Sequence, residues 1–170
     1  MGPLTRRRLI RLSLVLCLLF WTGPLYAATT TSGLVSWIYD GDTLKIDGIG
    51  KVRLIGIDTP EREESPRDAY YKERFQIPSP QLRKIAAQAL VFNIRHAKGK
   101  WVSLEFDHEK RDKFGRILAY VYLPDGTLLN RLLIEQGLAS VYRRFDFRLK
   151  QEFLLTEEKA ITATIGLWEK

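Results

Sequence analysis

The stretch R-L-I-G-I-D-T-P-E, Arg53 to Glu61, sets an arginine inside an apolar run and an aspartate and a glutamate three residues apart around a Thr-Pro turn. A guanidinium among core residues is costly unless an anion lies beside it. Asp42, Asp58 and Glu61 each stand where a strand meets a turn, a place aspartate also favours as an ordinary solvated residue. If the start of one strand lies beside the end of the next, however, two carboxylates and a backbone carbonyl face one hard cation. With no thiolate or imidazole ligand in that set, calcium or magnesium is the ion it suits. Regular alternation points Arg53, Ile55 and Ile57 to one face and Asp58 to the other. Arg53 and Asp58 therefore converge only if the strand bends before the turn.

A second cluster, Arg111-Asp112-Lys113-Phe114-Gly115-Arg116, surrounds a glycine with three cations and an aromatic ring. Such a run is commonly a solvated loop. It also suits a nucleotide, because arginine grips phosphate with a two-pronged fork and an aromatic ring stacks on a base.

The elements that must position these residues are short. Runs 34–39, 43–46 and 51–57 are rich in Val, Ile, Tyr and Thr and are separated by Gly-Asp clusters, which predicts a three-strand meander. The segment 61–79 is polar, carries Pro66 and Pro78, and reads as a long loop. Ser79-Pro80 opens an amphipathic helix that Gly99 ends, with Leu82, Ile85, Ala86, Ala89, Leu90 and Asn93 at helical spacing. Runs 101–106 and 117–123 give two more strands, and helices are expected over 130–136 and 146–165. The fold class is α+β, mainly β: a five-stranded barrel of the oligonucleotide/oligosaccharide-binding (OB-fold) type with about three helices.

At 170 residues and 45% hydrophobic content the chain has room for one globular domain. Its first 28 residues follow a different pattern. Arg6, Arg7, Arg8 and Arg11 precede an apolar run, and Gly23-Pro24 leads to small residues at Ala27-Ala28, the order of an export signal. The same segment fits a twin-arginine signal loosely and, left uncleaved, would act as an anchor, although the run is short for a span of about 20 residues. The expected location is periplasmic or secreted, or membrane-anchored if the segment is retained. The single cysteine, Cys17, lies within it, so residues 29–170 offer no disulfide, thiolate site or thiol nucleophile. Without the four leading arginines the 27 basic residues fall to 23 against 20 acidic, too mild an excess to identify a polyanionic partner by itself.

Taken in order, Asp40-Gly41-Asp42-Thr43, Arg53 through Glu61, Lys113-Phe114-Gly115-Arg116 with Leu118-Ala119-Tyr120, Asn130 through Ala139, and Gly166-Leu167-Trp168 resemble the thermonuclease (staphylococcal nuclease) family over nearly all of residues 29–170. The resemblance implies a calcium site built from the side chains of Asp42 and Asp58 and the carbonyl of Thr59, with Asp40 as a neighbouring acid. It implies Arg53 and Arg116 as a clamp on the scissile phosphate and Glu61 as the residue that orients or deprotonates water. Lys113, Phe114 and Tyr142 are the implied substrate contacts. The substrate would be DNA or RNA, single strands preferred, cut to leave 3′-phosphates by a monomer with no obligate protein partner. Three departures affect substrate contacts: Phe114 stands where the family type has tyrosine, the segment after Ala139 is out of register with the family's pocket tyrosines, and the 61–79 segment is longer. A rival from another class is a single-strand-binding module of the same barrel that does not cut. Such a module is expected to lose the acids or the arginines, and all of them are present here.

The basic, apolar, small-residue order of the first 28 residues predicts export with cleavage. N-terminal sequencing of protein recovered from the envelope or medium is expected to begin near Ala28 or Thr29, whereas Arg6 to Arg11 retained on membrane-bound protein would identify an anchor.

Overall fold

A computed structural model describes residues 31–169, and the expected export segment, with Cys17, lies outside the described residues. Strands β1 (Thr31–Ile38), β2 (Thr43–Ile46) and β3 (Gly50–Leu54) form the meander. Strands β5 (Trp101–Glu105) and β6 (Ile117–Tyr122) close the barrel in the order β1-β2-β3-β6-β5. All barrel pairs are antiparallel except β3 with β6, which is parallel. The inward residues Val35, Ile38, Leu44, Ile46, Val52, Leu54, Leu104 and Val121 fill the interior, and helix α2 (Ser79–His96) covers it with Leu82, Ile85 and Ala89. Helix α3 (Leu129–Glu135) packs on β6 and on helix α4 (Lys150–Thr162). Among the described residues no helix is long and apolar enough to cross a membrane.

Three expectations are corrected. The 61–79 segment is not all loop: helix α1 (Pro66–Phe75) lies inside it, capped by the Ser65 hydroxyl, which accepts from the Arg67 amide, and stopped by Gln76 in a left-handed conformation. This brings the α-helices among the described residues to four. It escaped the periodicity reading because the helix is polar and buries only Tyr71. The closing helix starts at Lys150 rather than Asp146. Third, the run read as one strand over 51–57 divides after Leu54, and a two-residue strand β4 (Ile57–Asp58) leaves the barrel to pair with β7 (Ser140–Val141).

That division depends on Gly56, whose φ is 80°, a conformation residues with a Cβ adopt only under strain. The glycine also lies against a ring, since a Cβ there would stand 2.5 Å from Phe147. Buried Asn130 holds both sides of the kink. Its Nδ2 donates to the carbonyls of Ile55 and Ala119, and its Oδ1 accepts from the Val121 amide. The Gly56 carbonyl accepts from the Tyr142 amide. The kink is thus fixed at its backbone hydrogen bonds, and it turns Asp58 toward the side on which Arg53 lies.

Gly56→Ala is expected to lower stability by about 2 kcal/mol or more through strain and the ring clash, seen as a melting temperature lower by roughly 5–10 °C. An unchanged melting temperature would show that the kink tolerates a side chain.

Candidate active site

The site is assembled where the start of β2 meets the end of β3, Thr43 being paired with Arg53. Asp42 enters from the β1–β2 turn. Asn93 of α2 holds that turn by donating to the Gly41 carbonyl at 2.8 Å, and Gly41 fits because a Cβ would meet Thr59 and Ala89 at under 3 Å. Asp42 is 3% exposed and Asp58 5%. Arg53 reaches both, with Nη1 2.6 Å from Asp42 Oδ1 and Nη2 3.5 Å from Asp58 Oδ1. The convergence that required a bend is therefore present.

Asp42 accepts further hydrogen bonds from the Thr43 hydroxyl and the Thr59 amide, and Asp40 accepts from the Asp42 amide. Burial, reinforced by the adjacent Asp42 charge, pushes the Asp40 carboxyl up to about 6. Burial also raises the Asp58 carboxyl; Arg67 opposes that rise and Asp42 adds to it. Glu61 is solvent-accessible, and its carboxyl is raised by partial burial and then by Asp42 and Asp58, against Arg53 and Arg116. For Arg53, burial works against the charge, but Asp42, Asp58, Asp40 and Glu61 more than offset it and hold the guanidinium above the usual arginine range.

Arg116 precedes β6 and is oriented by Asp112, whose Oδ2 accepts from Nε at 2.7 Å while Oδ1 accepts from the Arg116 amide. No protein acceptor takes the Arg116 Nη groups among the described residues. Phe114 is 72% exposed, with Lys113 Nζ 5.0 Å and the Arg116 guanidinium 5.5 Å from its ring centre. Arg53, Asp58, Glu61, Lys113, Phe114, Arg116 and Tyr142 all line one cleft of about 510 Å³. The structure thus brings together every side chain singled out from the sequence, with Asp42 behind Arg53 and Thr59 beside Asp58.

Two contributors were not legible in the sequence. Arg67, on the first turn of α1, donates from Nε and Nη2 to Asp58 Oδ2 at 2.9 and 2.6 Å, and its guanidinium lies 4.2 Å from the Tyr70 ring centre. Tyr71, fully buried one turn later, donates from its hydroxyl toward the same Oδ2 and the Asp58 carbonyl and meets the Ser140 hydroxyl. Oδ2 of Asp58 is therefore saturated with donors, whereas the one partner of Oδ1 is Arg53 Nη2 at 3.5 Å. The only trace of Arg67 in the sequence is Ser65-Pro66, the same helix-start pair as Ser79-Pro80.

Among the described residues no three acidic or imidazole side chains gather as a ready-made cage. The donor set is two carboxylates with peptide oxygens nearby, all oxygen and in a cluster whose acids repel one another. That chemistry fits a hard divalent cation, which relieves the repulsion without asking for fixed geometry.

A family model described as staphylococcal nuclease homologue matches residues 51–170. A thermonuclease of Staphylococcus intermedius is 32% identical over 157 residues, covering 87% of this chain and 84% of that protein. Endonuclease YncB of Bacillus subtilis is 32% identical over 137 residues, 77% of this chain and 58% of that protein. An uncharacterised protein of Methanocaldococcus jannaschii is 36% identical over 147 residues, 80% of this chain and 70% of that protein.

Arg67→Met is expected to destabilise the metal-free protein by about 2 kcal/mol, less than for a fully buried pair because the arginine is partly exposed, since Asp58 keeps its burial and loses its main cation. Chemical denaturation in chelator measures this, and an unchanged midpoint would mean that Tyr71 and Arg53 alone satisfy Asp58.

Proposed function

The chain belongs to the staphylococcal nuclease homologue family and is by that membership a nuclease; we propose that it is calcium-dependent, that it hydrolyses phosphodiesters in DNA and RNA, preferring single strands, and that it leaves 3′-phosphate ends. The observation that carries this reading is the cleft in which the Arg53 and Arg116 guanidinium groups, the solvent-accessible Glu61 carboxylate and the exposed Phe114 ring lie together with Asp58.

The side chains of Asp42 and Asp58 and the Thr59 carbonyl would hold the ion. Calcium there would supply charge stabilisation to a phosphate oxygen. Arg53 and Arg116 are assigned to the non-bridging oxygens, where they neutralise charge that grows as water adds in line to phosphorus. Asp112 holds Arg116 by Nε, so its Nη edge is presented without a search through rotamers. Glu61 takes the proton of the attacking water, and a carboxyl raised above its ordinary value is a better base for this than an unperturbed one. The bond from phosphorus to the 5′ oxygen breaks, and that oxygen takes a proton from solvent and leaves as the hydroxyl of the next nucleotide. Phe114 supplies a stacking face without a phenolic hydrogen bond, and Lys113 supplies a point charge for backbone phosphate. We also propose that the domain works as an exported monomer.

The test is a zymogram and single-turnover assay on DNA and RNA in calcium and in chelator. Activity is expected in calcium alone. Glu61→Gln and Arg116→Lys are each expected to lower turnover by about 10²-fold or more with strand binding nearly unchanged. Full activity in excess chelator would overturn the calcium assignment, and intact turnover in Arg116→Lys would overturn the clamp.

A further inference from the structure

Among the described residues the aromatic side chains that are largely exposed are Trp37, Tyr39, Trp101 and Phe114. Phe114 belongs to the cleft. The other three stand on one outer face of the barrel, and strand register places them in a row. Trp101 at the start of β5 is paired with Leu34 of β1, and Trp37 of β1 is paired with Lys45 of β2, itself paired with Lys51 of β3. A bulge between Val35 and Trp37 makes this row possible. Strict alternation from buried Val35 would turn residue 37 inward. The extra residue, Ser36, reverses the phase, so that Trp37 is 52% exposed while Ile38 is buried.

Cations accompany two of these rings. Lys98 Nζ lies 4.8 Å from the Trp37 ring centre, and Lys51 Nζ lies 4.4 Å from that of Tyr39. The face also carries exposed Lys45, against Asp47 as the one exposed acid in β1, β2, β3 and their hairpins, with a second exposed acid, Glu105, at the far end of β5. The row reaches the active site. Tyr39 lines a second cleft together with Glu61, Arg67 and Arg144, and those last three also line the cleft that holds Phe114 and Arg116. Glu63 and Glu64 belong to the loop side of that second cleft.

We propose that Tyr39, Trp37 and Trp101, with Lys51, Lys45 and Lys98 between them, form a track that binds single-stranded nucleic acid extending beyond the cleft in which it is cut. This deepens the nuclease reading and rests on it. Rings interleaved with lysines suit a single strand, because every base has a face to stack and every nucleotide a phosphate to neutralise, whereas a duplex buries its bases and offers nothing to Trp37 or Trp101. The distance also suits a strand. From Tyr39 to the Leu34 position that adjoins Trp101 is five residues, about 17 Å at the ordinary rise of a strand, within the reach of the roughly 4–16 nucleotides that such barrels engage. The exposure of Trp37 has no role in the core, and the bulge that causes it makes sense as a device for presenting the ring.

The experiment compares a trinucleotide, which fills the cleft alone, with a single-stranded 16-mer, in the wild type, in Trp37→Ala/Trp101→Ala and in Trp37→Tyr/Trp101→Tyr. For the 16-mer the alanine pair is expected to raise KM by about 10- to 100-fold with kcat unchanged, and the tyrosine pair to restore most of it. For the trinucleotide neither pair should change KM. Equal KM for the 16-mer in the wild type and the alanine pair would overturn the track while leaving the nuclease reading intact. If the wild type cuts neither substrate, the nuclease reading fails. The track is then judged by fluorescence, where a 16-mer that quenches the wild type more than the alanine pair supports it and one that quenches both alike overturns it. A spectral shift of Trp37 and Trp101 with phosphatidylglycerol vesicles but none with the 16-mer would also overturn it, in favour of a membrane-facing surface.

Discussion

Asp42 and Asp58 are almost out of contact with water and share one guanidinium, that of Arg53. Two carboxylates so placed repel each other more strongly than they would in water, and burial by itself would drive them toward protonation. The structure around them reads as a set of answers to that repulsion. Asn93 fixes the turn that carries Asp42 through backbone carbonyls. Tyr71 and Arg67 fix Asp58 from the opposite side, and Ser140 holds the strand that carries it. None of these groups adds negative charge. Arg67 and Tyr71 donate to the Asp58 carboxylate itself, whereas Asn93 and Ser140 act on the backbone that carries the two acids, so the pair is held in place from behind. Removing a donor would leave a charge buried, which is costlier than never having buried it.

The sequence made the barrel and most of this cluster legible, because both rest on local patterns: short β-prone runs between Gly-Asp turns, and acids at strand ends. It did not reveal the break between Leu54 and Ile57. Gly56 was visible inside the run, but a glycine in a strand is equally compatible with a straight strand that merely tolerates it. What decides is Phe147, ninety-one residues later in the chain, packed where a side chain would otherwise be. Helix α1 was missed for a related reason. It is held through Tyr71 and the Arg67–Asp58 pair rather than through an apolar stripe, and pairwise contacts of that kind leave no periodic trace. Arg67 could not be assigned without the helix that carries it.

The arginines of the site are prepared in different ways. Arg53 is half-buried against Asp42 and Asp58, so its position is set by those two carboxylates. Arg116 is held only at Nε by Asp112, on a loop with a glycine at its tip. A phosphate bound between them would meet one guanidinium that cannot move far and one whose forked end remains available. Electrostatic stabilisation is most effective when the dipoles are in place before the charge develops, and Asp112 provides that for Arg116 by fixing its Nε. Arg67 differs again, because its pairing with Asp58 spends its charge inside the protein and leaves less of it for a strand.

The exposed rings follow the same logic of preparation. Phe114 lies near Lys113 and Arg116, Tyr39 near Lys51, and Trp37 near Lys98. A free aromatic side chain on a surface samples several rotamers, and a ligand that stacks on it must remove that freedom. A cation held against the ring restricts it in advance and remains available to a phosphate of the same nucleotide. Ring and cation together therefore bind more than either would alone, and they do so without reading the base, since every base offers a face and every nucleotide a phosphate. On the proposed track, a surface built of such pairs would distinguish single strands from duplexes by whether the bases are exposed.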